Sequence, residues 1–486
     1  MILVEELKME YLDIVTKIVL VICLGWYLIT NLQWYNYKLS RVVFKHHKWQ
    51  WHLTFFVIPI ALFYILPSLY FGIYFFIIYL SSFILWNKKL DRQLVLTARV
   101  KRFLALLLFF VFIQIVFCLN SSLYSNLTLL APLLFAYILS NLIEKSLFFI
   151  YKQRAKERLL SIKNLKIVAI TASFGKTSIK NFLYHVLKNR FNTYKTPRSV
   201  NTIAGLVLDV NRDLPKDTQI YIAEAGARAK GDIETITDFL EPQICVIGSI
   251  GEQHIEYFKT LENIKNTKKE LLNSKRMQKA FVHSSASSQL AKIIEEFPTN
   301  LHIVKSNLDG IWFDVEINGK IEHFFAPILG NFNAINLTAV VLVASYLGMN
   351  TLEINEALIT LPQVEHRLQK IEANGKIIID DSFNGNLEGM LEAINISSNH
   401  LGRKVIVTPG IVESTNEANI LLAKEIDKVF DFVIITGSLN ANILQSNIKE
   451  DKVFILKDKS QLEAILAKTT HSGDLILFAN DAPNFI

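Results

Sequence analysis

Apolar positions divide the chain into two parts with different patterns. Up to about residue 143 they form long uninterrupted runs, whereas from residue 165 onward short apolar runs alternate with amphipathic segments. Long apolar runs are typical of membrane-spanning helices, and strands that alternate with helices are typical of a parallel sheet covered on both faces. The pattern therefore predicts a multi-domain chain, with a transmembrane α-helical domain at 1–150 followed by α/β structure.

The apolar runs of the first part predict five membrane crossings. The run Leu53 to Trp86 contains no charged residue and is too long for one spanning helix of about 20 residues, so Pro67-Ser68 is predicted to be a turn between two helices. Basic loops at 32–52 and 87–102 belong on the cytoplasmic side. We expect a multi-pass protein of the inner (cytoplasmic) membrane, with everything after about residue 145 in the cytoplasm. The other three runs are Ile14 to Thr30, Phe103 to Leu119 and Leu127 to Ile143.

Two blocks of alternating strands and helices follow, and each is long enough to form its own α/β domain. We expect a central domain at 160–362 and a C-terminal, Rossmann-like domain at 363–486. The strands predicted in the first block are Leu165–Ile170, Gln219–Ala223, Gln243–Ile247, Ala280–His283 and Leu301–Val304. Those predicted in the second block are Lys376–Asp380, Lys404–Thr408, Phe432–Thr436, Lys452–Leu456 and Asp474–Phe478.

Charge and cysteine usage narrow the class of protein. The net charge is +7, but residues 1–160 hold 17 Lys and Arg against 7 Asp and Glu, so the excess belongs to the membrane part. The remainder is slightly acidic, and we expect no nucleic-acid partner. Cys23, Cys118 and Cys245 lie in apolar segments without metal-ligand spacing, which indicates reduced, structural thiols.

The segment Leu165 to Ile179 carries the strongest chemical signal. It predicts an apolar strand, a tight turn with Gly175, Lys176 and Thr177, and an amphipathic helix. Backbone N–H groups at such a turn converge on phosphate, while a lysine and a hydroxyl supply a positive charge and a Mg²⁺ ligand. The usual spacing would require glycine at Ile170, so an ordinary strand, turn and helix with a solvated Lys176 is the alternative.

Polar clusters follow several of the predicted strands, where open α/β sheets bind their ligands. Glu224 follows one strand, His254 follows the next, and the helix after it carries Lys268. A single strand-end carboxylate or histidine is more often solvated or a helix cap. Several of them at consecutive strand ends after a phosphate loop favour a Mg–nucleotide site.

Taken in order, these clusters resemble the motifs of the Mur ligase family across residues 165–486. Thr171 to Ser178 is similar to the family's T-G-[ST]-x-G-K-T-[ST], Asn201 to Gly205 to N-[NT]-x-x-G, and Gly251 to Glu256 to G-x-x-H-x-[ED]. Gly330 to Asn336 resembles G-x-H-N-x-x-N, and Asp381 to Asn386 resembles D-S-Y-N-A-N.

The resemblance implies a role for each matching residue. It implies ATP binding by Thr171, Ser173, Gly175, Lys176, Thr177, Ser178, Asn336, Arg367 and Asp381. It implies catalytic roles for Lys176, His254, Lys268 and Arg367, and metal binding by Thr177, Glu224, His254 and Lys268, the last as a carbamate. It implies substrate binding by Asn201, Thr202, Asn384 and Asn386.

The family's chemistry implies an ATP-dependent amide ligase of peptidoglycan synthesis that uses ATP and two Mg²⁺ ions. The expected substrates are UDP-MurNAc-tripeptide and D-alanyl-D-alanine, joined through an acyl phosphate at the cytoplasmic membrane face. The expected partners are the lipid bilayer and the membrane enzymes that consume the product. Such chemistry needs a cationic, preorganised site, because charge collects on the phosphoryl oxygens in the transition state.

The chain departs from the family pattern at three places. Ala172 replaces the first glycine of the loop, which an alanine tolerates only where φ stays negative. Phe332 stands where histidine is usual, so one adenine contact is lost or replaced by stacking. Membrane helices stand where family members of this type carry a small soluble domain that binds the uridine nucleotide.

The sequence is also compatible with two other hypotheses about function. One is an amide ligase similar to poly-γ-glutamate synthetase, which also combines a membrane segment with a Mur-like ATPase. The D-S-x-N-x-N element of a second α/β domain argues against it. The other is a membrane-anchored nucleotide-binding scaffold without catalysis. Ala172 and Phe332 favour it, and the ligand residues argue against it, namely Lys176, Glu224, His254 and Lys268.

Overall fold

The computed structural model describes residues 2–44, 46–90, 92–118, 128–198, 200–252, 255–286, 293–383, 385–412 and 414–480. The chain divides into two compact units, Met1–Ile150 and Tyr151–Ile486. The described part of the first unit is helical and has its own apolar core, to which Tyr27, Phe75 and Trp86 contribute. The second unit contains the α/β structure.

The helices of the first unit follow its apolar runs. They are α1 (Ile2–Trp34), α2 (Leu39–Phe44), α3 (Gln50–Ile65), α4 (Ser68–Lys88), α5 (Ala98–Cys118) and α6 (Ala131–Ser161), and α6 continues past the unit boundary. The long apolar run breaks between α3 and α4, where Leu66 is extended and Pro67 precedes the first residue of α4. Proline removes a backbone donor and disfavours helix at the residue before it. The predicted turn at Pro67-Ser68 is therefore confirmed.

Three helices of the described residues are long and apolar enough to cross a membrane. They are Tyr11–Trp34, Ser68–Lys88 and Ala131–Ser161, whereas the apolar helix Gln50–Ile65 is shorter. The three long helices coincide with three of the five predicted crossings. The five-crossing topology itself stays a prediction.

A six-stranded parallel sheet forms the centre of the second unit. Its strands are β1 (Lys166–Thr171), β2 (Thr193–Lys195), β3 (Ile220–Glu224), β4 (Ile244–Ile247), β5 (Lys279–His283) and β6 (Ile294–Phe297), in the spatial order β2-β3-β1-β4-β5-β6. Helices α7 (Lys176–Leu187), α8 (Ile203–Arg212), α9 (Asp232–Leu240), α10 (Ile255–Phe258) and α11 (Leu261–Lys269) connect them. The central strands β3 and β4 are buried along their whole length, as expected for a sheet covered on both faces.

A small antiparallel sheet follows, with strands β7 (Leu301–Asn307), β8 (Gly310–Ile317) and β9 (Lys320–Ala326). The strand predicted at Leu301–Val304 therefore belongs to this sheet and not to the parallel one. The chain reverses between Asn307 and Gly310, which face each other across the β7–β8 pair. Helices α12 (Asn331–Tyr346) and α13 (Thr351–Ile359) complete this part and pack into the core beneath the central sheet.

The second predicted α/β block is also present. Its strands are β10 (Gln369–Ala373), β11 (Lys376–Asp381), β12 (Lys404–Thr408), β13 (Phe432–Thr436), β14 (Val453–Leu456) and β15 (Leu475–Ala479), in the order β10-β11-β15-β12-β13-β14. Its helices are α14 (Leu387–Ser398), α15 (Asn416–Val429), α16 (Ala441–Asn447) and α17 (Leu462–Thr469). All five predicted strands are confirmed within one residue. The additional strand β10 lies at the edge and is antiparallel to β11.

Candidate functional site

The loop after β1 has the backbone that a phosphate site requires. Gly175 has φ +80° and directly precedes α7, so the left-handed position of the loop is occupied by glycine. A side chain at Gly175 would collide with the amide of Asn336, which lies against the loop. Ala172 does not have a positive φ, which explains why alanine is tolerated at this position.

The loop is held against the neighbouring strand ends by hydrogen bonds. The Ser173 N–H donates to the Ser249 carbonyl at 2.8 Å, and the Ser173 hydroxyl donates to the Gly251 carbonyl at 3.0 Å. The Thr171 hydroxyl donates to the Ala225 carbonyl at 2.8 Å. Thr171 and Ser173, both predicted to bind ATP, thus hold the loop in shape in this structure.

Lys176 bends back over the loop at the start of α7. Its Nζ donates to the carbonyls of Ala172 at 2.7 Å and Ser173 at 2.9 Å. Burial lowers the pKa of Lys176 to about 8, while Glu224 raises it and Arg367 lowers it further. These mutual effects place Lys176, Glu224 and Arg367 in one electrostatic neighbourhood.

Glu224 lies at the centre of this neighbourhood, at the carboxyl end of β3, and is 1% exposed. Its Oε2 accepts a hydrogen bond from the Thr177 hydroxyl at 3.1 Å and forms an ion pair with Lys180 Nζ at 3.1 Å. Its Oε1 is 3.5 Å from the Asn201 amide nitrogen. A carboxylate and a hydroxyl side by side are the oxygen donors that Mg²⁺ prefers.

Sequence reasoning did not single out Lys180. Its side chain is 1% exposed, and besides Glu224 it contacts the Arg198 carbonyl. A signal was present, because Lys180 interrupts the buried face formed by Ile179, Phe182 and Leu183. A lysine that is fully buried on a helix needs a partner, and the sequence contains one at the end of β3.

The predicted substrate residues on the loop before α8 are also close to Glu224. The Asn201 carbonyl accepts from the Gly226 N–H at 2.8 Å, so the loop packs on the segment that follows β3. Thr202 is the N-cap of α8, and its hydroxyl accepts from the Gly205 N–H at 3.3 Å. Thr202 therefore has a capping role in this structure, while the Asn201 side chain faces Glu224.

Lys268 is buried near the end of α11, with 4% of its surface exposed. Burial lowers its pKa to about 7, Lys176 lowers it further, and the carboxylates of Asp232, Glu224 and Glu270 raise it. A lysine with this pKa is partly neutral at physiological pH and can react as an amine. Lys268 thus shares the neighbourhood of Lys176 and Glu224.

Two of the predicted site residues are not among those that the structure describes. His254 lies outside the described residues, as does Asn384 of the predicted substrate set. Within the described ranges no group of three or more His, Cys, Asp or Glu side chains could hold a metal ion. Asn386 is described, and its side chain caps α14 by accepting from the Gly389 N–H at 2.9 Å.

Arg367 lies in the segment that enters the C-terminal sheet. Partial burial lowers its pKa, and the carboxylates of Asp381 and Glu224 act in the opposite sense. The residues on either side of it, His366 and Leu368, both have left-handed backbone, with φ of +60° and +48°. Arg367 therefore occupies a sharply turned segment next to the phosphate loop.

Two consecutive aspartates at the end of β11 hold this segment in place. Asp380 accepts from His366 Nδ1 at 2.7 Å, and Asp381 Oδ1 accepts from the Leu368 N–H at 3.1 Å. Asp380 is fully buried and also accepts from the Ser382 N–H at 3.1 Å. The family resemblance implies that Asp381 binds ATP, but the sequence analysis gave no role to the pair formed by His366 and Asp380.

Asn336 and Phe332 lie on the first turns of α12. The Asn336 amide donates to Asn333 Oδ1 at 3.1 Å, and Asn333 donates to the Leu329 carbonyl at 2.7 Å. The Phe332 ring packs beside Gly330 and against the apolar core of the C-terminal sheet. Phenylalanine at the expected histidine position therefore joins the two α/β parts.

A crevice opens between α7 and the segment that carries Arg367. It is lined by Ser178, Phe182, Ile328, Asn333, Gln363, Val364, Arg367 and Leu368. The described site thus brings together Lys176, Thr177, Glu224, Lys268, Arg367 and Asp381 from both α/β parts. Lys176 and Arg367 bring positive charge to this site, which suits a polyphosphate and the charge that develops when a phosphoryl group moves.

Comparison with known proteins agrees with this geometry. Residues 170–344 match the family model of the Mur ligase middle domain. The chain is 27% identical over 337 residues to the UDP-N-acetylmuramoyl-tripeptide–D-alanyl-D-alanine ligase of Bacillus subtilis, which covers 64% of this chain and 72% of that enzyme. It is 31% identical over 266 residues to the enzyme of the same name from Buchnera aphidicola, which covers 51% of this chain and 57% of the relative.

Solved structures establish the fold of the second unit. The MurF ligase of Thermotoga maritima in complex with ADP matches with a TM-score of 0.59 and 23% identity, over 69% of this chain and 80% of that one. The corresponding ligase of Acinetobacter baumannii matches with a TM-score of 0.62 and 23% identity, over 69% of this chain and 76% of that one. The second unit therefore has the Mur ligase fold, with central and C-terminal α/β domains.

Proposed function

From its membership of the Mur ligase family, we propose that this chain is an ATP-dependent amide ligase of peptidoglycan precursor synthesis that joins D-alanyl-D-alanine to UDP-MurNAc-tripeptide. Its curated relatives from Bacillus subtilis and Buchnera aphidicola carry that name. The structural observation that carries the proposal is the grouping of Lys176, Thr177 and Glu224 beside a glycine-turned loop. We propose residues 160–362 and 363–486 as the two domains that form the site.

The proposed reaction has two steps, formation of an acyl phosphate and formation of the amide. A carboxylate oxygen of the tripeptide attacks the γ-phosphorus of ATP, the bond to the β–γ bridging oxygen breaks, and ADP leaves from the acyl phosphate. The dipeptide amine then attacks the acyl carbon, the carbon–oxygen bond breaks, and phosphate leaves as the amine loses its proton. Lys176 and Arg367 lie beside the phosphate loop, and their positive charges would stabilise the oxygens on which negative charge increases.

The residues present fit Mg²⁺ at one position. The Thr177 hydroxyl and the buried Glu224 carboxylate are adjacent and form a set of hard oxygen donors. When bound, Mg²⁺ would neutralise phosphate charge and orient the triphosphate. We propose a second ion held by His254 and by Lys268 as a carbamate, since only the carbamate turns this lysine into an anionic ligand.

The remaining predicted residues take supporting roles in this proposal. Asn336 lies against the phosphate loop and would border the nucleotide. Asp381 fixes the segment of Arg367 and would border the ribose. Thr171, Ser173, Gly175 and Ser178 shape the phosphate site. Asn201 and Thr202 would lie on the tripeptide side, and Asn384 and Asn386 on the dipeptide side.

We further propose that the first unit anchors the enzyme in the cytoplasmic membrane as a multi-pass domain, with the α/β unit in the cytoplasm. The three long apolar helices and the basic loops between them support this. The anchor would place the enzyme beside the membrane enzymes that consume its product.

The proposed membrane anchor is tested by membrane fractionation. We expect the full-length chain to stay in the membrane pellet after an alkaline carbonate wash and to require detergent for release. The wash breaks contacts at the membrane surface but does not extract helices that span the hydrocarbon core. A peripheral membrane protein of the same cells serves as the control and should be released. Release of the chain by carbonate alone would refute the anchor but would leave the ligase proposal untouched.

The ligase proposal itself is tested by substrate dependence. We expect the purified full-length protein to release ADP only when UDP-MurNAc-tripeptide, D-alanyl-D-alanine and ATP are all present, with the amide product seen by mass spectrometry. ADP release with glutamate as the amino donor would favour the poly-γ-glutamate type of ligase. Nucleotide binding without ADP release under any of these conditions would favour the scaffold.

A further inference from the structure

Lys180 makes the most deeply buried ion pair at the site. The side chains of Lys180 and Glu224 are 1% and 2% exposed, and Nζ lies 3.1 Å from Oε2. The same Oε2 accepts from the Thr177 hydroxyl at 3.1 Å, and the Lys180 ammonium also contacts the Arg198 carbonyl. Lys180 is thus fixed from two sides against the carboxylate that we propose as a magnesium ligand.

A buried ion pair is weak evidence for stability, since desolvation offsets most of the attraction between the charges. Lys180 follows Thr177 by about one helical turn, so α7 presents both side chains to Glu224. We therefore expect Lys180 to act on the charge of the Glu224 carboxylate more than on the stability of the core.

We propose that Lys180 is a positioning residue that balances the charge of Glu224, so that Mg²⁺ binds here only together with nucleotide phosphates. This inference rests on the proposed function, because it concerns the same nucleotide site. It assigns Lys180 no contact with substrate. Its effect is on the carboxylate that receives the metal.

The local charges support this. A divalent ion arriving alone at Thr177 would meet one carboxylate whose charge Lys180 already matches, with Lys176 close by. The described residues supply no group of three carboxylate, histidine or cysteine side chains that could compensate. Phosphate oxygens bring the missing negative charge, so the metal and the nucleotide are expected to enter as one complex.

The test measures binding, not ligation, on the full-length chain in detergent. Mg²⁺ alone, ADP with a chelator, and Mg²⁺ with ADP are titrated while the melting temperature and the heat of binding are recorded. We expect Mg²⁺ with ADP to stabilise the wild-type protein and Mg²⁺ alone to leave it unchanged. In K180M we expect Mg²⁺ alone to bind at least about tenfold more tightly than to wild type, because a unit charge a few ångströms away is removed.

Three further variants separate this effect from a general loss of structure. K180Q keeps a hydrogen-bond donor beside Glu224 and serves if K180M does not fold, with the same gain expected. K180R keeps the charge and should behave as wild type. K195M removes a neighbouring half-buried lysine whose Nζ donates to Asn181 Oδ1 at 2.6 Å, and it should gain no affinity for Mg²⁺.

Two results overturn the proposal. One is a folded K180M or K180Q protein whose affinity for Mg²⁺ alone equals that of wild type. The other is a wild-type protein that binds Mg²⁺ alone as tightly as it does with ADP. A wild-type protein that binds no nucleotide would instead refute the nucleotide site, and the proposed function would then fail together with this inference.

Discussion

Replacing Lys176 with methionine is expected to lower kcat for amide formation by about 10³-fold. The Lys176 ammonium lies over the phosphate loop and is coupled to Glu224 and Arg367. In the proposed reaction, negative charge increases on the γ-phosphoryl oxygens toward the transition state, so the missing cation affects kcat more than KM. Methionine keeps most of the apolar stem. ADP release at saturating substrate concentrations measures the effect.

K188M is the matched control for K176M. Lys188 lies at the other end of α7, is exposed, and caps the helix through its backbone. We expect its kcat to stay within about twofold of wild type, as is usual for surface substitutions. A folded K176M enzyme with a kcat within about tenfold of wild type would contradict the role of Lys176 in transition-state stabilisation.

Replacing Lys268 with arginine is expected to lower kcat by about 10²- to 10³-fold, because arginine stays cationic and forms no carbamate. Burial and Lys176 lower the pKa of Lys268 to about 7, so the neutral amine that reacts with CO₂ predominates above that pH. Wild-type activity should therefore fall as the pH drops below about 7, and it should also fall when dissolved CO₂ and bicarbonate are removed. The measurement is kcat as a function of pH, with and without added bicarbonate.

K269R serves as the control for K268R. Lys269 is the next residue on α11 and is less deeply buried, so the substitution makes the same chemical change beside the site. K269R should keep both the activity and the bicarbonate response of wild type. If K268R were as active as wild type, or if wild-type activity were indifferent to bicarbonate, the carbamate would be excluded.

The α/β fold could be predicted from the sequence because its central strands are short, apolar and well separated. Lys404–Thr408 and Phe432–Thr436 are found with the predicted bounds, since strands buried on both faces read as continuous apolar runs. The edge strands Thr193–Lys195, Ile294–Phe297 and Gln369–Ala373 carry polar residues and were missed. Edge strands depend on pairing with a neighbour, and the local pattern contains little of that information.

The candidate site was predictable where one segment carries the whole signal. Gly175, Lys176 and Thr177 are contiguous, and their turn geometry follows from the order of residues alone. Lys180 pairs with Glu224, which is 44 positions away along the chain. His366 pairs with Asp380 of strand β11, which is 14 positions away. Such pairs are visible only when the topology brings the strand ends together.

The turn that carries Arg367 has a consequence for how the enzyme would handle ATP between turnovers. Asp380 and Asp381 hold the residues on both sides of the arginine, so the segment that carries the guanidinium is tied to the end of strand β11. Any swing of the C-terminal sheet away from the phosphate loop would withdraw this charge from the γ-phosphate. An open enzyme would thus hydrolyse ATP slowly. ATP would be consumed only after the two α/β parts close around the substrates.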